Sequence, residues 1–318
     1  MDVIVLAGGF GTRLRPWTEI MPKPLLPILD KSMIEHVVDV LPQSEVDRVL
    51  IAAGYGVEKM RSHFESLSLP YDVVIIEEFE PLGTGGAIAN CRDQLSGGTF
   101  CVINGDLITS LKVERMLDFH RSNGGLATIS LWEVDDPSRF GVADYRKESG
   151  KVMRFQEKPP IEEAYSNLIN AGTYILEPEI FELMPLGAHS MERDVYEVLA
   201  ATGGLNGFPF EGWFVDAGTP TSFVDATKVC ISEERFSTGR VKGDSWFGDG
   251  SVNDGTVIGS SVGSEATIGV DAKISHSVVL QGAKVGARSK LDSCLVGIGA
   301  EIAEGTVLSG EIVGHAFT

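Results

Sequence analysis

Short apolar runs alternate with amphipathic stretches over the first third of the chain: Val3-Ile4-Val5-Leu6, Val49-Leu50-Ile51, Val73-Val74-Ile75-Ile76 and Phe100-Cys101-Val102-Ile103. Runs this short and this apolar read as buried parallel strands. Between them Ile34, Val37, Val38 and Leu41 recur at helical spacing, and Val57, Met60, Phe64 and Leu67 mark a second helical stripe. The alternation predicts βαβ units and an α/β, doubly wound, Rossmann-like sheet. From Ala127 to Ile175 the pattern is richer in strands, with Ile129-Ser130-Leu131 and Tyr174-Ile175-Leu176, and helices are expected around Met191 to Ala201 and Thr221 to Ser232. These segments complete a first domain over residues 1–232.

After a polar stretch the texture changes, so a second domain is assigned to residues 233–318. Val262, Ile268, Ile274 and Leu280 stand six residues apart, and Ile302 and Leu308 repeat the interval after irregular steps between Val285 and Val296. A six-residue period with one inward aliphatic per side predicts a parallel β-helix, short or distorted where the steps falter. A glycine-rich disordered tail would not keep its aliphatics in phase. Open coils and strand edges are commonly buried against a neighbour, so a homo-oligomer is expected. Deleting residues 250–318 should then lower the oligomeric state more than any activity of the first domain.

Composition fits two soluble domains: 318 residues, 43% hydrophobic, with a mean hydropathy of +0.09. The net charge of -19 and pI near 4.7 argue against a nucleic-acid partner, so an anionic ligand must be met by a few local cations. No apolar run approaches a membrane span and no signal peptide opens the chain, which reads as a cytoplasmic protein with no membrane partner. Cys91, Cys101, Cys230 and Cys294 form no paired motif and are assigned to packing.

The first strand runs directly into Leu6-Ala7-Gly8-Gly9-Phe10-Gly11-Thr12-Arg13. A glycine-rich turn at the carboxyl end of a first parallel strand lets backbone N–H groups approach a phosphate closely. The third glycine of a dinucleotide fingerprint is absent, since Leu14 stands there, and no P-loop occurs; an arginine inside the loop points to a triphosphate. In Met21-Pro22-Lys23-Pro24, prolines stiffen the backbone around one lysine. Asp106 follows the strand run 100–103, and Asp216 follows Trp213-Phe214-Val215 before a Gly-Thr-Pro helix start. Each reads either as a metal-holding carboxylate at the sheet's edge or as a turn or helix-capping aspartate. Glu157-Lys158 places adjacent opposite charges after an apolar segment, for which an exposed ion pair on a turn is the default explanation.

Taken together, Leu6 to Arg13 and Pro22-Lys23-Pro24 resemble the signature of the nucleotide-sugar pyrophosphorylases, the sugar 1-phosphate nucleotidyltransferases. Further motifs of that family follow in order: Gly83-Thr84-Gly85-Gly86, Asn104-Gly105-Asp106, Phe140-Gly141-Val142, Glu157-Lys158-Pro159, Asn170-Ala171-Gly172 and Val215-Asp216-Ala217-Gly218. The repeats resemble the left-handed β-helix that many members carry. Trp17 departs from the pattern, standing where many members have a smaller aliphatic.

The resemblance implies attack by a sugar 1-phosphate on the α-phosphorus of a nucleoside triphosphate, with pyrophosphate leaving and Mg²⁺ held by Asp106 and Asp216. It places Leu6, Ala7, Gly8, Gly9, Gly11, Thr12, Arg13, Lys23, Glu78, Gly83, Thr84 and Asp106 around the nucleotide. Gly141, Glu157, Lys158 and Asn170 fall to the sugar phosphate, and Arg13, Lys23, Asp106 and Asp216 carry the catalysis. By the same resemblance, the position five residues before Gly83 is often glutamine in thymidylyl- and uridylyltransferases and often glutamate in guanylyltransferases for mannose or heptose 1-phosphate. Here it is Glu78, and a carboxylate suits guanine's adjacent N1–H and N2–H donors. GTP with mannose 1-phosphate is the expected pair; a glucose-1-phosphate uridylyl- or thymidylyltransferase and a heptose-1-phosphate guanylyltransferase are the alternatives. A silent regulatory relative would have lost a catalytic charge, yet all are present. Acyl transfer on the β-helix would need a histidine, and His276 and His315 there read as surface residues.

Overall fold

In the computed structural model, which describes residues 1–316, the apolar runs at the start of the chain become the strands Asp2–Leu6, Arg48–Ala53, Asp72–Glu77 and Phe100–Asn104. Their β-branched and aliphatic side chains fit a pleated surface buried on both faces. They pair in parallel and form one half of a nine-stranded sheet. The full spatial order is Asp72–Glu77, Arg48–Ala53, Asp2–Leu6, Phe100–Asn104, Leu168–Leu176, Ala127–Glu133, Leu205–Pro209, Lys151–Glu157 and Gly141–Arg146. Beyond Phe100–Asn104 the neighbours are mostly antiparallel, so only the first half obeys the parallel pattern. Asp72–Glu77 is the sheet's edge, and its apolar residues are half-buried rather than enclosed.

The helical stripes form as Met33–Val38, with Leu41 buried just beyond it, and Val57–Glu65, which buries Val57, Met60 and Phe64. The segment expected as one helix near Met191 opens as a π-helical turn, Met191–Tyr196, before the α-helix Glu197–Thr202. Helix Pro220–Ser232 starts on a capping box in which Thr219 and Ser222 satisfy each other's backbone N–H, with Pro220 at its first position.

The chain forms two compact units. One comprises 1–9, 39–105 and 109–214 and holds the whole nine-stranded sheet; the other comprises 10–38, 106–108 and 215–318. The second unit contains the repeats, which form three stacks of short parallel strands, the arrangement of a parallel β-helix. Paired residues of successive coils lie 17 apart, as in Ser261, Val278, Leu295 and Ile312. The inward core runs Val262, Ile268, Ile274, Val279, Val285, Leu291, Val296 and Ile302, so every third step is five residues instead of six. Val279, not Leu280, takes the inward place, and the steps that looked irregular in sequence are a regular 17-residue coil. A buried serine ladder follows the same period: Ser277 N–H donates to Ser260 Oγ and Cys294 N–H to Ser277 Oγ, both at 2.9 Å.

Two of the three stacks alternate buried and exposed residues, as in Lys284–Val285 and Lys290–Asp292. The third is buried on both faces, at Val278–Val279 and Leu295–Val296.

Candidate active site

Within the first unit, the turn after the first strand lies against its two neighbours. Ala7 N–H donates to Ala52 O at 2.8 Å and Gly105 N–H to Leu6 O at 2.9 Å. A Cβ on Gly105 would stand 2.8 Å from Leu6 O, and one on Gly8 would stand 2.7 Å from Glu78 Oε1. Glycine at both places is therefore a packing requirement as well as a conformational freedom. Glu78 follows the edge strand, is buried to 8% exposure, and receives no hydrogen bond at Oε1 from the described residues. Burial pushes its carboxyl above the usual carboxylate range, and a hydrogen bond from the Leu82 backbone opposes only part of that shift.

The helix Gly83–Asn90 opens directly after this segment. Its glycines are demanded by the chain 187–189: a Cβ on Gly83 would stand 2.5 Å from His189 O, and one on Gly85 2.3 Å from the His189 ring. Gly85 and Gly86 N–H both point to His189 O, and Thr84 Oγ donates to Glu192 Oε2 at 2.6 Å while accepting from Met191 N–H. The Thr84 hydroxyl is thus engaged in the fold. Glu192 and His189 are the residues that the sequence pattern missed here, because the stretch around Met191 carried only a helical signal.

The sugar-type residues of the same unit lie on adjoining strands. Gly141 pairs with Glu157, and a Cβ there would meet the Phe155 ring at 2.3 Å and Glu157 Oε2 at 3.0 Å. Lys158 turns the chain with φ 49°, and its Nζ contacts Glu157 Oε1 at 2.6 Å. The Lys158 side chain is 57% exposed whereas that of Glu157 is 8% exposed. Glu197, a third residue of the missed stretch, accepts from the Glu157 backbone N–H at 3.3 Å. Asn170 sits at a break in strand register, where it accepts from Gly172 N–H and donates to Tyr174 Oη, both at 3.0 Å.

Within the second unit the remaining charges converge. Gly11 adopts φ 61°, and a Cβ on it would meet Thr18 Cγ2 at 2.9 Å and Lys23 Cβ at 3.0 Å. Thr18 Oγ donates to Gly11 O at 2.9 Å. Thr12–Leu14 forms a single 3-10 turn with Leu14 buried and Arg13 exposed. Lys23 Nζ lies 2.5 Å from Asp106 Oδ2, and its side chain is only 10% exposed. Ala217 N–H donates to Asp106 O at 3.0 Å, tying the two aspartate loops together. A Cβ on Gly218 would meet Asp216 Oδ1 at 2.8 Å and Lys23 Nζ at 3.3 Å, so Lys23 stands beside both carboxylates. Neither aspartate is a helix cap: Thr219 caps the helix after Asp216, and Lys112 occupies the N-cap position of the next helix after Asp106.

Lys23, Asp106 and Asp216 thus form one cluster after a glycine loop, and comparison with known proteins gives the chain's family. The nucleotidyl transferase family model matches residues 2–233, and a GlmU-like C-terminal hexapeptide model matches 227–312. The chain belongs to the nucleotidyl transferase family. Mannose-1-phosphate guanylyltransferase 1 of Arabidopsis thaliana is 34% identical over 320 residues, covering 99% of this chain and 86% of that protein. The mannose-1-phosphate guanylyltransferase catalytic subunit beta of Danio rerio is 33% identical, covering 96% and 88%. Among solved structures, HddC from Yersinia pseudotuberculosis complexed with GMP-PN matches with a TM-score of 0.60 at 32% identity, over 72% of this chain and 98% of that one. A UDP-glucose pyrophosphorylase shares the fold, with a TM-score of 0.65 at 22% identity over 73% and 98%. Nucleotidyltransferases of this family generally use a divalent metal.

Two further expectations meet the structure differently. His315 is buried at 6% exposure and accepts from Ile298 N–H at Nδ1, so it is not a surface histidine; His276 is exposed at a coil corner. Among the described residues no helix is long and apolar enough to cross a membrane.

Proposed function

We propose that this protein transfers GMP from GTP to mannose 1-phosphate, releasing pyrophosphate and forming GDP-mannose. The cluster of Lys23 with Asp106 and Asp216 carries the reading: one cation and two hard oxygen donors suit polyphosphate chemistry. An oxygen of the sugar phosphate attacks the α-phosphorus in line, and the bond to pyrophosphate breaks. The attacking oxygen is already ionised near neutral pH, so no base is required, and positioning with charge neutralisation supplies the catalysis. Arg13 and the glycine loop hold the leaving pyrophosphate, and Lys23 exchanges Asp106 for the α-phosphate. Gly141, Glu157, Lys158 and Asn170 receive the sugar phosphate. The intramolecular bonds of Asn170 leave it one amide hydrogen and one lone pair for a hydroxyl.

Asp106 and Asp216 fit Mg²⁺. Among the described residues no group of three or more acidic, cysteine or histidine side chains could cage a metal. Two carboxylates completed by substrate phosphates and water are the usual provision for this ion. When bound, Mg²⁺ neutralises charge on the phosphates. For the base, Glu78 is a buried acceptor without a protein donor at Oε1, which complements guanine's N1–H and N2–H, and both guanylyltransferase relatives support the same choice.

The test is a pyrophosphate-release screen of GTP, UTP, dTTP and ATP against mannose, glucose, N-acetylglucosamine and heptose 1-phosphates. Turnover is expected to be highest with GTP and mannose 1-phosphate and to vanish in excess EDTA. A preference for UTP or dTTP, or full activity in EDTA, overturns the corresponding part of the reading.

A further inference from the structure

Trp17 lies between the first two motifs, where many members of the family have a smaller aliphatic, and the reaction uses no indole. In the second unit it is fully buried in a short helix, Trp17–Ile20, that falls between Arg13 and Lys23 in the chain. Its Nε1–H donates to Val313 O at 2.8 Å, a carbonyl of the last β-helix coil. Its ring stacks on His315, with centroids 5.6 Å apart and planes at 22°. It also meets Phe223 edge-on at 5.7 Å. Phe223 belongs to the helix that opens four residues after Asp216.

The contacts continue from there to the charges. Thr18, next in the chain, hydrogen-bonds Gly11 O and fills the space where a Gly11 Cβ would go; Lys23 Cβ lies against the same spot. Lys23 in turn holds Asp106. On the β-helix side, His315 is itself fixed by Ile298 N–H, 17 residues earlier and one coil below. A buried tryptophan with its N–H satisfied and both edges packed is a rigid anchor, and rigid support of this kind matters where a phosphate-binding loop must hold its shape.

We propose that Trp17 is a positioning residue through which the final β-helix coil, at Val313 and His315, holds the loop from Gly11 to Lys23 in its phosphate-binding shape. The repeat region then supports the phosphate-binding loop of its own chain, so on this proposal deleting residues 250–318 lowers activity as well as assembly, unlike the expectation drawn from sequence. The inference rests on the nucleotidyl-transfer reading for its kinetic consequence but not for its structural one.

The experiment compares Trp17→Leu, Trp17→Phe and His315→Ala in the full chain, using hydrogen exchange of residues 10–26 and steady-state kinetics with the preferred substrate pair. Trp17→Phe keeps the ring contacts without the N–H donor and guards against a Trp17→Leu chain that does not fold. Faster exchange confined to 10–26, with kcat down by about 10- to 100-fold in Trp17→Leu and less in Trp17→Phe, is the expected result. KM for the sugar 1-phosphate should stay within about twofold, because the loop acts on the nucleotide. A mere stability role would lower the melting temperature of all three variants and leave kcat per folded molecule unchanged. Unchanged exchange at 10–26, or faster exchange with unchanged kcat, overturns the proposal. If the wild-type chain turns over no substrate pair, it is the reaction reading that fails, and the exchange measurement alone decides the role of Trp17.

Discussion

Two lysines of the candidate site, Lys23 and Lys158, face carboxylates, and they are held in opposite ways. Lys23 lies between two prolines, is 10% exposed, and rests on Asp106 beside Asp216. Lys158 follows its partner Glu157 directly on an exposed bend, with a positive φ and a 57% exposed side chain. A lysine of the first kind has its position set by the fold; one of the second kind gains little from its ion pair and moves freely to a ligand. The difference separates a group that must be in place for a transition state from one that recruits a substrate. On the proposed reaction, Lys23 belongs to chemistry and Lys158 to binding.

The largest effects should therefore come from the enclosed cluster. Lys23→Met, Asp106→Asn and Asp216→Asn are each expected to lower kcat by about 10²–10³-fold, the scale of losing one preorganised charge at a reacting phosphate. Circular dichroism should report an intact fold in all three. Wild-type kcat in any of them would break the comparison on its stronger side.

How much of this was legible in the sequence depended on whether the signal was local. The strand runs at 3–6, 49–51, 73–76 and 100–103, the glycine turn and the lysine between prolines are local, and each stands where the pattern put it. Sheet order is not local: the run at 73–76 looks like its neighbours, yet it is the edge strand. The 17-residue coil was hidden because Val279 and Leu280 are both aliphatic and both buried, so sequence alone offered a six-step where the backbone takes five. Where the Thr84 hydroxyl points was not legible, because a motif records which residues are present, not where their side chains are held. Its partner Glu192 lies 108 residues away. The same distance problem concealed Trp17, whose acceptor is 296 residues away.

On the exposed side of the comparison, Lys158→Met should raise KM for the sugar 1-phosphate by about 10–100-fold while kcat falls less, the signature of a lost binding contact. Glu157→Gln should act on the same constant. If Lys158→Met instead lowers kcat as far as Lys23→Met does, exposure has misjudged the role of Lys158 and both lysines act on the transition state.

A third charge sharpens the contrast, because Glu78 is buried and no ion pair is found for it among the described residues. Glu78→Gln is expected to reduce GTP use by about 1–3 kcal/mol in kcat/KM, the cost of a charge-assisted hydrogen bond, while UTP use holds or rises. An unchanged GTP-to-UTP ratio would remove Glu78 as the base-reading residue.

The smallest effect is on stability, and it runs the other way. Burial raises the Glu78 carboxyl above its usual range, so its contribution to folding is favourable only below the unfolded pKa and is lost as pH rises through the folded one. Wherever the side chain is ionised it therefore costs the free protein stability, and replacing it with a neutral amide that still accepts from Leu82 should relieve that cost. Glu78→Gln is expected to melt on the order of 2 °C higher than wild type at pH 7.5 without nucleotide. The advantage should shrink as pH falls and the wild-type carboxyl gains its proton, and shrink again at pH 7.5 under saturating GTP, which gives the wild-type carboxylate the donors it lacks. Scanning fluorimetry with and without GTP reads both trends. A variant that melts below wild type at pH 7.5 without nucleotide would mean that Glu78 already has its charge compensated, and a gap untouched by GTP would mean that guanine does not reach it.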